Sequence, residues 1–450
     1  MKYIRFLSRL IVGMVFVFSG FVKAVDPLGS AYKFGDYFVA FKLGFLEFLA
    51  LPLGIFLSAF ELLLGITLIL GYRRRVMFRI LMWFMSFFAL LTLILALFNP
   101  VSDCGCFGDA LVLTNWQTFL KNLVLMVPVL ILYFHRNKED EDLPAWREWI
   151  VVGSLYAGAV FFSFWNYRHL PLIDFRPYDV GTVIRDEMVV PEGMPVDEYE
   201  TTLIYRNLET GDKETFSMEN YPKDTLRWEF VNSESKLVKK GYEPPIHDFA
   251  LMDESGWDLA DEILNDKGYS LILVSNNLTR ADKEALSRAR GWSQLEIFAR
   301  DYNFYAVTAT TTAEVESISE ELELGYPFLA GDEIMLKTIV RSNPGFMLLK
   351  NGTILGKWGL RDFPALEELD PQWSELIGNA SAPVDEDQQW LMESGVYDEL
   401  TFDVVDFDHF TPELLWKQGA RNRETGVLVI SILALCLLLQ FAGYISPVRW

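Results

Sequence analysis

The sequence predicts a membrane α-helical bundle of six spans, carrying an exoplasmic α/β domain and a small β-rich connector. Three observations predict it. Apolar residues gather into runs long enough to cross a bilayer. Basic residues collect at alternate ends of those runs. Between the fifth and sixth runs lies a long acidic stretch in which strand and helix patterns alternate. Hydrophobic residues make up 51% of the chain while its formal net charge is −22. A uniformly mixed soluble chain seldom combines these, but a membrane part joined to an acidic, water-exposed part does.

The apolar runs lie at 6–24, 45–71, 77–98, 116–134, 149–165 and 426–445. The first also fits a cleaved signal peptide, with Lys2, Arg5 and Arg9 ahead of an apolar centre. Its length, and the poor small-x-small site in SGFVKAVDP, favour a retained helix. Lys2, Arg5 and Arg9, then Arg73, Arg74, Arg75 and Arg79, then His135, Arg136, Lys138 and Arg147 mark three segments as cytoplasmic. The loops at 26–42 and 99–115 are then external, as is everything between spans five and six. Lys417, Arg421 and Arg423 dissent, but a long translocated domain is less bound by that tendency.

The expected organisation is a four-span unit at 1–142 and a fifth span at 143–168. A β-rich connector follows at 169–242, an α/β domain at 243–369 and an acidic connector at 370–425. The sixth span and tail close the chain at 426–450. In the first connector, ETTLIYRN and ETFSM flank a Thr-Gly-Asp turn and predict a hairpin, and WEFVNSESKLVKKGY offers another strand. From 243 the grammar changes. GYSLILVSNNL is a continuous apolar strand of the kind buried in a central sheet. TRADKEALSRARGWSQLEIFARDYN is helical, FYAVTATTT is the next strand, and TAEVESISEELEL is helical again. GFMLLKNGTILGKWG is two strands about the Asn-Gly turn at 351–352.

Two blocks carry a resemblance. DFALMDESGWDL and SNPGFMLLKNGTILGKW make residues 246–369 resemble a thioredoxin-fold domain of the periplasmic peroxiredoxin-like type. The resemblance implies a cis peptide before Pro344 and a Cys-x-x-Cys between Asn276 and Arg280. The chain reads NNLTR there, and the domain has no cysteine. Without a thiolate it exchanges no disulfides of its own, so the expectation is a docking platform that kept the fold.

The first four spans carry a second resemblance, over residues 5–135. FVFSGFVKAVDPLGSAYKFGDYF, AFELLLGITLILGYRRR and DCGCFGD followed by NWQTFLKN resemble, in order, blocks of the DoxX family and its MauE relatives. DoxX relatives are associated with quinone-linked oxidation of sulfur compounds, and MauE with maturation of a disulfide-rich dehydrogenase subunit. The resemblance therefore implies a bacterial inner-membrane protein with a large periplasmic domain. It makes quinone the cofactor to consider and a periplasmic protein with a disulfide or thiol carrier the partner.

Cys104 and Cys106, two of three cysteines in 450 residues, fall on the outer side, where disulfides persist. Gly105 allows the tight backbone turn that joining them requires. A redox-active dithiol, a static staple and half of a metal site all fit the pair. Asp103 and Asp109 are expected to raise the thiol pKa values. His135, His169, His247 and His409 form no sequence cluster, so no metal is assigned. Charges inside apolar helices are costly and often functional. Glu61 lies well inside span two, Glu47 nearer its outer end, and Lys23 is a partner for either. Cys436, in the last span, is read as a packing residue.

The expected function is thiol–disulfide redox, or maturation of a partner protein, through the external Cys104–Cys106 pair. A non-catalytic scaffold and an electron-carrier subunit of a quinone-linked oxidoreductase are the alternatives. The acidic exterior lacks the clustered Lys and Arg that nucleic-acid binding needs.

Overall fold

The computed structural model describes residues 2–138, 144–191, 193–195, 198–239, 241–294 and 302–363. The predicted sixth span, Cys436 and the acidic connector from 370 lie outside the described residues.

Five apolar runs are helices long enough to cross a bilayer among the described residues. α1 is Lys2–Val25. The loop expected at 26–42 is itself helical, forming α2 (Pro27–Ala40). Asp26 caps it, accepting the Gly29 N–H at 2.9 Å, and Pro27 occupies its first turn. A 3-10 turn at Gly44–Leu49 runs into α3 (Ala50–Leu70), followed by α4 (Arg74–Phe98), α5 (Asn115–Phe134) and α6 (Ala145–Arg168).

Glycines let α1 and α3 approach closely. A Cβ at Gly20 would stand 2.3 Å from the Leu62 nitrogen, and one at Gly65 2.5 Å from the Val17 nitrogen. Small residues at such crossings allow backbone contact in lipid, where packing replaces the hydrophobic drive. Val12, Phe16, Leu64, Leu68 and Leu81 fill the core of the bundle. Trp83, Phe87, Leu90 and Leu97 of α4 and Leu120, Leu123, Val124 and Val127 of α5 are exposed. Such a wide outward apolar face belongs against hydrocarbon. The basic residues meet at one end of the bundle, where Arg9 donates to the Ile69 carbonyl at 3.4 Å and Arg73 lies 3.7 Å from Glu148.

Residues Thr182–Phe249 form a compact unit of their own. It holds the short α7 (Ile184–Glu187) and an antiparallel sheet of β1 (Glu198–Asn207), β2 (Lys213–Ser217) and β3 (Trp228–Lys239), in the order β2-β1-β3. Its border falls later than the sequence suggested, because 169–181 is tied to the larger unit. His169 Nδ1 lies 2.9 Å from Asp362, Arg176 donates to the Thr338 carbonyl at 2.7 Å, and the Gly181 N–H donates to the Ile354 carbonyl at 2.8 Å.

The second sheet has the order β6-β5-β4-β7-β8. β4 (Tyr269–Ser275) is central and buried along its whole length. β5 (Tyr302–Thr308) and β6 (Phe328–Ala330) extend it in parallel. β7 (Gly345–Lys350) runs antiparallel to β4, and β8 (Thr353–Gly359) antiparallel to β7. Asn351 and Gly352, both at positive φ, turn that hairpin. α8 (Ala260–Asn265), α9 (Lys283–Gln294), α10 (Thr312–Leu322) and α11 (Glu333–Ile339) complete the layers. The N-terminal region is thus a membrane helical bundle and the C-terminal region a separate α/β domain.

Candidate functional site

The turn holding Cys104 and Cys106 joins α4 to α5. Asp103 and Thr114 pair as a β-bridge across its neck. Thr114 then starts α5 with a reciprocal capping box to Gln117. Gly105 takes φ +66°, a conformation that side chains resist. Asp103 holds the turn from inside, accepting the Gly105 N–H at 2.9 Å and pairing with Lys33 of α2 at 2.5 Å. Tyr37, one helical turn on, donates to the Cys104 carbonyl at 2.8 Å. The two Sγ atoms stand 3.1 Å apart, and only 9% of Cys104 is exposed. A disulfide would draw the sulfurs together to about 2.05 Å.

The two thiols differ in acidity. The Cys104 S–H bonded to the Cys106 sulfur pushes Cys104 up, and burial adds to this. The same bond draws Cys106 down to about 6 against its burial, helped by the ammonium groups of Lys121 and Lys23. The expectation that Asp103 and Asp109 would raise both thiol pKa values is corrected for Cys106. Both carboxylates are neutralised, Asp103 by Lys33 and Asp109 by Arg341 at 2.8 Å.

Beneath the turn, Lys23 of α1 and Glu61 of α3 are buried, at 7% and 5% exposure, and their charges meet at 2.6 Å. Burial of either charge alone would be very costly, so the pair fixes the two helices in register. Glu47, the other partner open to Lys23, instead lies 3.3 Å from Arg280 at the surface. The Ser19 hydroxyl is 2.7 Å from both a Glu61 oxygen and the Cys106 carbonyl. Its one proton serves one acceptor at a time. Ser19 thereby links the intramembrane ion pair to the cysteine turn.

A cavity of about 250 Å³ opens among α1 to α5. Phe16, Phe34, Phe38, Phe84, Phe88 and Phe107 give it aromatic walls, and Cys104, Gly105 and Cys106 are part of its lining. Lys23, Lys33, Glu61, Lys121 and Asn122 also line it. Lys121 stands 4.3 Å over the Phe107 ring. On the other side of the turn, Gly105, Gly108 and Asp109 face Pro171, Asp174 and Arg176 across a void of about 20 Å³. That space has room for about one water.

In the α/β domain, β4 ends at Ser275, and the loop from Asn276 to Arg280 carries polar groups instead of thiols. Ser275 donates to Asn343 Oδ1 and Asn343 Nδ2 donates to the Asn277 carbonyl, each at 2.7 Å. The Asn343–Pro344 peptide is cis. The contact between this domain and the cysteine turn is made by a residue that the sequence did not single out. Arg341 reaches Asp26 at 2.9 Å and Asp109 at 2.8 Å. No His, Cys, Asp and Glu cluster able to hold a metal occurs among the described residues.

Residues 1–135 match the family described as methylamine utilisation protein MauE. The membrane unit is MauE-like. The match contains all five helices around the cavity, the cysteine turn and the Lys23–Glu61 pair, whereas α6 and the α/β domain lie beyond it. Residues 199–240, the greater part of the small sheet, match a domain of unknown function (DUF8463). No curated protein and no solved structure matches the chain.

Proposed function

We propose that this multi-pass, MauE-like membrane protein is a thiol–disulfide redox component in which Cys104 and Cys106 cycle between dithiol and disulfide. The observation that carries the reading is the placement of two sulfurs, 3.1 Å apart, in the lining of an aromatic cavity within the bundle. Two thiols give up two electrons and two protons as the S–S bond forms. Cys106, the more acidic, is the nucleophilic sulfur, and Cys104 keeps its proton until the bond closes.

The cavity fits a planar, lipid-soluble acceptor of the quinone class. Its walls offer ring faces for stacking, and Lys33 and Lys121 offer donors near the sulfurs for a carbonyl oxygen. Such a group would supply a sink for the two electrons and two protons. The chain's own residues bind and orient it, while the Pro171–Arg176 segment backs the turn from the opposite side.

The remaining assignments extend the same reading. The basic bundle end faces the cytoplasm of a bacterial inner membrane, and the turn and α/β domain face the periplasm. The α/β domain, read as thioredoxin-like and carrying no thiol, serves to dock a periplasmic protein carrying a disulfide or thiol.

The decisive experiment uses reduced full-length protein in lipid nanodiscs, a water-soluble quinone analogue, and absorbance to follow the quinol. One quinol per chain, with parallel loss of both thiols to maleimide, is expected, and none with Cys104→Ser or Cys106→Ser. Unchanged turnover in those variants overturns the reading and leaves an anchored scaffold. A membrane-impermeant maleimide applied to intact cells, with reductant, reads the sidedness; labelling from the cytoplasm alone overturns the topology.

A further inference from the structure

The cysteine turn is gripped from the α/β domain by one buried side chain. Arg341 is 7% exposed and bridges two carboxylates of the membrane unit. Asp26 is the cap of α2, the helix that supplies Lys33 and Tyr37 to the turn. Asp109 lies three residues beyond Cys106, in the 3-10 turn Gly108–Ala110. Tyr32 lies 5.3 Å from the guanidinium, and a Cβ at Gly29 would stand 3.2 Å from it, so Arg341 sits in a fitted slot.

Its other end is anchored equally. The Arg341 guanidinium also donates to the Lys337 carbonyl at the end of α11. Two residues on, Asn343 bonds to Asn277 and Ser275 at the end of β4. The backbone segment Arg341–Asn343 is therefore held at one end to the loop after β4 and at the other to Asp26 and Asp109 beside the cysteine turn. A planar fork matches two carboxylates at once, which an ammonium group does not.

We infer that Arg341 is a positioning residue through which the cysteine-free α/β domain sets the geometry of the Cys104–Cys106 pair. The inference rests on the redox reading above. Releasing Asp109 and Asp26 frees the turn and α2 together. The sulfurs then spend less time within bonding reach, so the disulfide becomes easier to reduce.

The test is the equilibrium of the pair in glutathione buffers, measured on full-length protein in detergent by maleimide mass shift. Arg341→Gln is expected to lower the equilibrium constant for disulfide formation roughly tenfold. Arg341→Lys is expected to recover only part of it. Arg280→Gln breaks the Arg280–Glu47 pair between the same two regions without touching the turn, and is expected to stay within about twofold of wild type. Asp109→Asn reads the contact from the bundle side while leaving Arg341 paired with Asp26, and is expected to shift in the same direction as Arg341→Gln. A folded Arg341→Gln protein with the wild-type equilibrium overturns the inference, as does an unshifted Asp109→Asn protein should Arg341→Gln fail to fold. A wild-type protein with no dithiol–disulfide transition overturns the redox reading instead.

Discussion

Asp103 and Lys33 meet at 2.5 Å, and the second oxygen of the same carboxylate receives the Gly105 N–H. One side chain thus joins α2 to the backbone between the two cysteines. Asp103→Ala removes both bonds, and Asp103→Asn removes the charge while keeping an acceptor. Oxidation of the dithiol by the quinone analogue is expected to slow about tenfold in the first and less in the second. Stopped-flow thiol trapping ranks the two. Equal rates in all three proteins would remove Asp103 from the account.

Gly105 has a second way to fail. At φ +66°, an added methyl group carries a left-handed penalty of about 1–2 kcal/mol and would also stand 3.0 Å from Lys33 Cγ. Gly105→Ala is expected to lower the melting temperature in detergent by a few degrees and to weaken the disulfide in glutathione buffers.

The pH dependence follows from the unequal thiols. Only thiolate is alkylated, so iodoacetamide labelling of Cys106 is expected to rise with pH, reach half its maximum near the pKa of about 6, and then level off. Cys104, pushed up, lags behind it. Cys104→Ala takes away the S–H donor that stabilises the Cys106 thiolate, and the midpoint moves upward, toward the ordinary value of about 8.5. Both cysteines fall in one peptide, so fragment-ion mass spectrometry that locates the label on each sulfur, across pH 5–9, reads both curves. Identical profiles for the two cysteines would contradict the assignment.

Lys23 and Glu61 give a double-mutant cycle. Breaking a buried pair from one side leaves an uncompensated charge and costs about 3–5 kcal/mol, whereas replacing both partners by apolar residues is often close to neutral. Glu61→Gln is expected to destabilise the bundle strongly, and the Lys23→Met, Glu61→Leu double variant much less. If the double variant is stable yet oxidises slowly, the pair does more than hold α1 to α3.

Gly20→Ala tests the same interface sterically. Its Cβ would fall on the Leu62 backbone, which cannot swing aside as a side-chain tip can. A loss of about 3 kcal/mol is expected, read as a fall in melting temperature together with easier reduction of the Cys104–Cys106 disulfide. Gly153→Ala in α6, where a Cβ would meet nothing within 4 Å, is the matching control.

Much of this was legible in the residues. The spans announce themselves because lipid-facing and core-facing positions are both apolar, so the runs stand out whatever the packing. β4 shows as an unbroken apolar run because it is buried on both faces. α2 stayed hidden because PLGSAYKFGDYF mixes glycines, charges and aromatics, and what holds it is tertiary: Phe38 and Ala31 pack against Ala50. β6 has only three residues, too few for any periodicity to register.

At the candidate site, residue types were readable and partners were not. Nothing in DCGCFGD reveals that its two acidic groups are cancelled by Lys33, far upstream, and Arg341, far downstream. What lowers Cys106, the Cys104 S–H and the ammonium groups of Lys121 and Lys23, is also set by the fold. Likewise, Lys23 could be matched with Glu47 or Glu61 by position alone. Only the crossing of α1 and α3 at Gly20 and Gly65 decides it.

The β-bridge between Asp103 and Thr114 shuts the sulfur-bearing segment at its own root. What lies between is a small ring slung between the end of α4 and the start of α5. If the pair cycles as proposed, the bond made or broken lies inside a segment closed at its base, with α4 ending before it and α5 beginning after it.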